Sequence, residues 1–238
     1  MIPLGVVGKT KFKPYIVYAL IFINVVVYLW EVYVKAQGTS AFTNMLRAYA
    51  LNVCSVGIEP LPAVTIDSFR SMFLHGDEMH LFGNMLFLYV FGSRVEEYFG
   101  RARFLVLYIV LGFLATAGHI FFSGVLTSCT PNSQSLVIGA SGAIAGVMGA
   151  FLFLYPGARV RTLVGMFKPF FWEFRIPAVL FLGYWFVLDF LKGIGWMSSF
   201  GVAHWAHLGG FIAGVGASFL ATLFLAPPQV DPFDYLDE

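Results

Sequence analysis

Seven polar side chains interrupt apolar stretches of this chain: His80, Asn84, His119, Ser141, Asp189, His204 and His207. Ser141 lies in Gly139-Ala140-Ser141-Gly142, after a polar, proline-containing connection from Thr127 to Ser135 and before a long apolar run, which places it at a helix N-terminus. Backbone N–H groups there lack intrahelical partners and the helix dipole is positive, so the position suits both a nucleophile and the stabilisation of a developing oxyanion. Read alone, a serine before an apolar run is more often merely an N-cap. Small residues follow it at helical spacing, Ala145, Gly146, Gly149 and Ala150, and His207 opens a matching stripe with Gly210, Gly214 and Ala217. Two such stripes imply backbones in close contact, which would bring Ser141 within hydrogen-bond reach of His207 as nucleophile and base. Helix packing without chemistry is the competing reading. His80 and Asn84, spaced i and i+4, share a helix face and could both donate to one oxygen, neither needing charge, or could form a satisfied polar pair between helices. His119 has no partner at helical spacing and Asp189 only neighbouring aromatics, so both read as structural.

Other chemistries fail on spacing. A zinc protease needs His-Glu-x-x-His, whereas His75-Gly-Asp-Glu-Met-His80 has a different order. An aspartyl intramembrane protease needs two membrane carboxylates, and only Asp189 stands out as one. His204-Trp-Ala-His207 is an i, i+3 pair that a metal could use, but no Cys or carboxylate near it in sequence completes a shell, so neither metal nor cofactor is expected. Cys54 and Cys129 are too few for a disulfide scaffold, and whether they pair is open.

The elements that must hold these residues follow from composition. Of 238 residues 59% are hydrophobic and 11% charged, with a mean hydropathy of +0.80. Too little polar surface remains to cover a water-facing exterior, so the solvent is lipid. The net charge of +1 leaves no footprint for nucleic acid. Six stretches suit a ~30 Å hydrocarbon core: 15–34, 81–99, 104–126, 136–155, 176–191 and 203–226. The expected fold is therefore an all-α polytopic membrane bundle, one membrane domain over residues 1–238. The first run is too long for a signal peptide and lacks a convincing cleavage site, so it reads as a retained helix. With the N-terminus inside, ten Lys and Arg flank the spans on the cytoplasmic side and four on the outer side, so both termini should be cytoplasmic. The outer connection from Lys35 to Met79 reads as a partly membrane-embedded interfacial loop.

Counting up each helix from its cytoplasmic end at 1.5 Å per residue puts Ser141, His80 and His207 at roughly 21, 24 and 26 Å. Groups from three helices thus share one layer, several ångströms below the outer surface, where a cavity open to water could hold them.

The ordered motifs, Phe73-Leu-His75 with His80-Leu-Phe-Gly-Asn84-Met, then Gly139-Ala-Ser141-Gly142, then Ala203-His-x-Ala206-His207-x-Gly-Gly210, resemble the rhomboid intramembrane serine proteases. The resemblance covers all six spans. It implies a rhomboid-like six-helix bundle with Ser141 as nucleophile, His207 as its base, and no third carboxylate. It also implies an oxyanion hole of His80, Asn84 and the Ser141 backbone N–H. Glu96 falls where the family often has a structural glutamate, and Gly210 where a glycine lets the fourth and sixth helices approach. Position 145, where the family often stacks an aromatic residue on the histidine, is alanine, which leaves open what orients His207. Trp205, although adjacent in sequence, points elsewhere.

The expected activity is that of a serine endopeptidase hydrolysing peptide bonds in or near transmembrane segments of other membrane proteins, in the inner membrane if the source is prokaryotic. A six-helix transporter or channel with a polar binding layer, or a catalytically inactive rhomboid-like protein, are the alternatives. Substrate, cleavage-site preference and oligomeric state are not legible in the chain.

Overall fold

A computed structural model describes residues 1–8, 12–124, 126, 129–130, 134–165, 172–197 and 202–225. The chain is mostly helical, and its elements are β1 Ile2–Val6, α1 Tyr15–Ala36, α2 Thr39–Tyr49, β2 Leu51–Asn52, α3 Leu61–Ser71, α4 Glu78–Phe87, α5 Ser93–Phe99, α6 Arg101–Phe122, β3 Leu136–Val137, α7 Ser141–Leu154, β4 Arg159–Val164, β5 Trp172–Pro177, α8 Ala178–Gly193 and α9 His204–Phe224. Among the described residues, α1, α6 and α9 are long and apolar enough to cross a membrane, and α7 is a shorter apolar helix. A π-helical turn, Leu88–Gly92, joins α4 to α5, making one continuous helical run of two α segments where a single span from Leu81 was expected.

The expected boundaries shift where the backbone leaves the helix. Leu136 and Val137 do not begin the fourth helix. They pair with Leu51 and Asn52 as an antiparallel ladder, and Gly139, at φ 120°, adopts a conformation that glycine alone reaches cheaply, so α7 starts at Ser141. Ile176 and Pro177 likewise close β5, and α8 begins after them. The chain, expected to be all-α, also carries strands: β4 and β5, between α7 and α8, pair antiparallel, and β1 extends them to a three-stranded antiparallel sheet in the order β1-β4-β5. Residues 35–79 form no plain loop: α2 and α3 occupy about half of that stretch.

Close backbone approach concentrates on α7 and α9. A Cβ at Gly210 would lie 2.2 Å from the Gly142 carbonyl oxygen, and one at Gly214 would lie 1.8 Å from that of Gly146. α6 completes the layer, with a Cβ at Gly118 falling 2.8 Å from Gly209 Cα. The small-residue stripes thus do what their spacing implied, since only hydrogen at these positions lets the helices meet. At the opposite end from Ser141, Glu96 is fully buried and accepts from the backbone N–H groups of Ile16 (3.1 Å) and Val17 (2.8 Å), capping the first turn of α1. Beside it, Arg94 pairs with Glu97 at 3.2 Å and donates to the Gly8 carbonyl, which ties the N-terminal strand to the bundle.

Cys54 and Cys129 are disulfide-bonded across 75 residues of sequence. The bond joins the segment after β2 to the approach to β3, next to the Asn52 side chain, whose Oδ1 accepts from the N–H groups of Cys54 and Ser135. These restraints, with Gly139 N–H donating to the Ser71 carbonyl at 2.9 Å, hold the strand that delivers the chain to Ser141.

Candidate active site

The start of α7 and the first turns of α9 meet so that Ser141 Oγ lies 2.7 Å from His207 Nε2. Ser141 is the first residue of α7, not its cap: Ala140 occupies the cap position and no side chain bonds there. The N-cap reading is thereby removed, because the hydroxyl is engaged by the histidine instead of the backbone. The pair opens onto a cavity of about 610 Å³ lined by His80, Asn84, Ser141, Trp185 and His207.

His80 and Asn84 reach the same cavity from α4, as their spacing implied. Asn84 Nδ2 is buried and has no partner among the described residues, so it is an available donor facing the site. Leaving such a donor unmade costs free energy in the resting protein, which is expected where the missing acceptor is transient. His80 Nε2 faces Gly139, where a Cβ would come within 2.9 Å of it, so position 139 requires glycine for space as well as for conformation. The other ring nitrogen, Nδ1, lies 2.7 Å from the His75 carbonyl oxygen and must carry a proton to bond it. It follows that Nε2 donates to an oxyanion only when the ring is the imidazolium. Asn84, by contrast, donates as a neutral amide.

The carbonyl that orients His80 is itself held by a residue the sequence reading passed over. Glu31 of α1, 1% exposed, accepts from His75 N–H (2.9 Å) and Gly76 N–H (2.8 Å) through its two oxygens. An acid inside an apolar run was the available signal. Burial, reinforced by the nearby His80, pushes His75 down to about 4, so this imidazole is neutral at physiological pH and adds no charge to the turn. Glu31→Ala is expected to cost about 3 kcal/mol, because two charge-assisted bonds go and two buried amides are left unpaired. Chemical denaturation measures the effect, and unchanged stability would remove Glu31 from this role.

Asp189 and His204 are the second correction. Asp189 of α8, expected to see only aromatic neighbours, is 6% exposed and places Oδ2 2.8 Å from His207 Nδ1 and Oδ1 2.8 Å from His204 Nδ1. Four residues earlier on the same helix, Trp185 sets its ring 5.8 Å from that of His207, at 35°. The aromatic residue absent at position 145 is thus supplied from α8. Trp205 indeed points away and packs on Phe122. The i, i+4 spacing of Trp185 and Asp189 was the sequence signal. Asp189, His204 and His207 also offer three ligand atoms within 4.8 Å of one another, so a metal-type donor set does exist where none was expected. His119 stays apart from these contacts, with a buried Nδ1 that has no partner among the described residues.

A mostly helical bundle with long apolar helices, tied by glycine contacts around a half-buried serine–histidine pair, defines a polytopic membrane protein. Residues 63–224 match the Rhomboid domain. Similar proteins include Rhomboid protein 1, mitochondrial, of Saccharomyces cerevisiae, 29% identical over 221 residues that cover 87% of this chain and 54% of that protein. RHOMBOID-like protein 1 of Arabidopsis thaliana is 28% identical over 207 residues, 83% of this chain and 46% of that one. Rhomboid protease GluP of Bacillus subtilis is 28% identical over 162 residues, 67% of this chain and 26% of that one. The chain belongs to the rhomboid family and is an integral membrane protein; it spans about half the length of the first two relatives.

Proposed function

We propose that this protein is an intramembrane serine endopeptidase that hydrolyses peptide bonds in or near transmembrane segments of other membrane proteins. The observation that carries the reading is the 2.7 Å contact between Ser141 Oγ and His207 Nε2 at the mouth of a helix N-terminus, with the unpartnered Asn84 amide in the same cavity. Ser141 Oγ attacks the peptide carbonyl as its proton passes to His207 Nε2. The oxyanion rests on the Ser141 backbone N–H, the Asn84 amide and the His80 imidazolium, and His207 then returns the proton to the leaving amine. Water hydrolyses the acyl-enzyme by the same route in reverse. A substrate helix must unwind locally to present its carbonyl, so small or helix-breaking residues near the cut lower the cost.

In this reading six helical units cross the membrane: α1, the α4–α5 run, α6, α7, α8 and α9. At 14 residues α7 is roughly 21 Å long, short of a ~30 Å core, which supports a Ser141 sunk below the outer surface in a water-accessible cavity. Both termini are cytoplasmic. The disulfide between Cys54 and Cys129 supports that orientation, because it puts both cysteines on the outer side, where thiols oxidise.

Labelling with a fluorophosphonate tests the class. The purified protein should be labelled at Ser141 and should cleave a transmembrane test substrate with or without a chelator. Substrate-dependent solute flux without labelling would instead favour a transporter, and chelator-sensitive cleavage would favour the Asp189, His204 and His207 donor set as a metal centre. His80→Ala and Asn84→Ala are each expected to lower kcat, by up to about 3 kcal/mol of transition-state stabilisation and by less where donors substitute for one another. Unchanged kcat in both single variants and in the double variant would reject the assignment.

A further inference from the structure

We infer that Asp189 completes the Ser141–His207 pair as a positioning residue, selecting the tautomer of His207 and stabilising its charged form, with His204 fixing the carboxylate in turn. The inference rests on the proteolytic reading and adds to it a carboxylate that the family resemblance did not supply.

Hydrogen-bond chemistry decides the point. An ionised carboxylate only accepts, so an imidazole nitrogen 2.8 Å from Asp189 Oδ2 must carry the proton. With Nδ1 protonated, neutral His207 presents a lone pair at Nε2, the atom 2.7 Å from Ser141 Oγ, which is the form a general base requires. The other tautomer would set two lone pairs against each other at Nδ1 and offer Ser141 an N–H. The second carboxylate oxygen is 2.8 Å from His204 Nδ1, one helical turn before His207 on α9, so each oxygen has a donor. A buried carboxylate with one donor would be free to rotate; with two it is held in one plane. Trp185 covers the His207 ring from the same helix that carries Asp189, so a single rigid element sets both the in-plane direction and the tilt of the imidazole.

The proton bookkeeping is complete without moving a proton onto the carboxylate. The Ser141 Oγ–H proton goes to His207 Nε2 as the Oγ–C bond forms and the carbonyl π pair becomes the oxyanion. Asp189 stays ionised beside the imidazolium, lowering its energy, and the Nε2 proton then passes to the amine as the C–N bond breaks.

Asp189→Asn and Asp189→Ala separate this role from packing. Asparagine keeps the shape but can turn its NH₂ toward Nδ1 and stabilise the wrong tautomer, so kcat should fall by about 10²-fold to 10⁴-fold with KM little changed. Alanine leaves either tautomer accessible and should be no worse than asparagine. A structural role predicts the reverse order, since the isostere preserves more contacts. Should the variants not fold, ¹⁵N-histidine spectra of the unsubstituted protein report the tautomer directly. Protonated Nδ1 and bare Nε2 at His207 are expected, and the reverse overturns the inference. Asparagine more active than alanine also overturns it while leaving Ser141-dependent cleavage intact. A wild-type protein that neither labels nor cleaves removes the proteolytic reading and this inference together.

Discussion

Replacing Ser141 by alanine is expected to take cleavage of a transmembrane test substrate to the detection limit while changing unfolding free energy by no more than about 1 kcal/mol. The small stability effect follows from the site: Ser141 is half-buried at the edge of the cavity, does not cap its helix, and among the described residues its side chain hydrogen-bonds to His207 alone. The large kinetic effect follows from losing the attacking oxygen. His207→Ala should be nearly as damaging, because an undissociated serine hydroxyl is a weak nucleophile. The double variant should be no worse than either single one, since nucleophile and base act as a unit; in a soluble serine protease either loss costs roughly 10⁶ in kcat. Single-turnover cleavage with matched unfolding curves gives both quantities. Additive losses, each modest, would mean that the two residues contribute separately and that the 2.7 Å contact is incidental.

That contact was legible before the fold because small residues announce close backbones. The stripes after Ser141 and His207 say that two helices meet, and they meet at Gly142 with Gly210 and at Gly146 with Gly214. What small residues do not encode is the rotation of a neighbouring helix whose surface is apolar all round. The run containing Trp185 and Asp189 has no polar face to orient it, so Asp189 was left among aromatics when it faces two histidines. The same cause hid the role of His204, which read only as half of an i, i+3 pair with His207 lacking a carboxylate near it in sequence, when Asp189 of α8 faces both. Glu31 was missed for a different reason: a single acid in a long apolar run was averaged into hydropathy, although its carboxylate holds the turn before His80.

The strands were missed through long-range pairing. Arg159 to Val164 alternates exposed and buried residues, a period of two, but its first partner lies at Ile2–Val6, more than 150 residues away, and charge counting treated the segment as a flank of the span. Leu136 and Val137 were drawn into the fourth helix by hydropathy alone. The positive φ at Gly139 delays the start of that helix by five residues, from 136 to 141, and this delay is what leaves Ser141 at a helix start instead of in a helix interior.

The glycines that make the contact also make it fragile, and two glycines on α9, one in the contact and one outside it, give opposite expectations. A Cβ at Gly214 would sit 1.8 Å from the Gly146 carbonyl oxygen and 3.0 Å from Ala150 N, both backbone atoms that no rotamer change can move. Gly214→Ala must therefore push α9 off α7 by more than an ångström, at a cost of about 3 kcal/mol or more. Seven residues up α9, roughly 10 Å, His207 rides on the same rigid element, so its 2.7 Å approach to Ser141 lengthens and kcat should fall at least tenfold. At Gly216 a Cβ meets nothing within 4 Å, and Gly216→Ala gains helix propensity, leaving activity unchanged and thermal stability equal or raised by up to about 1 kcal/mol. Measuring both variants by thermal unfolding and cleavage rate isolates packing from composition, because the substitution and the helix are the same. Equal effects at the two positions would show that the α7–α9 contact does not set the Ser141–His207 distance; a selective loss at Gly214 would show that the reactive geometry is held by hydrogen atoms two turns below it.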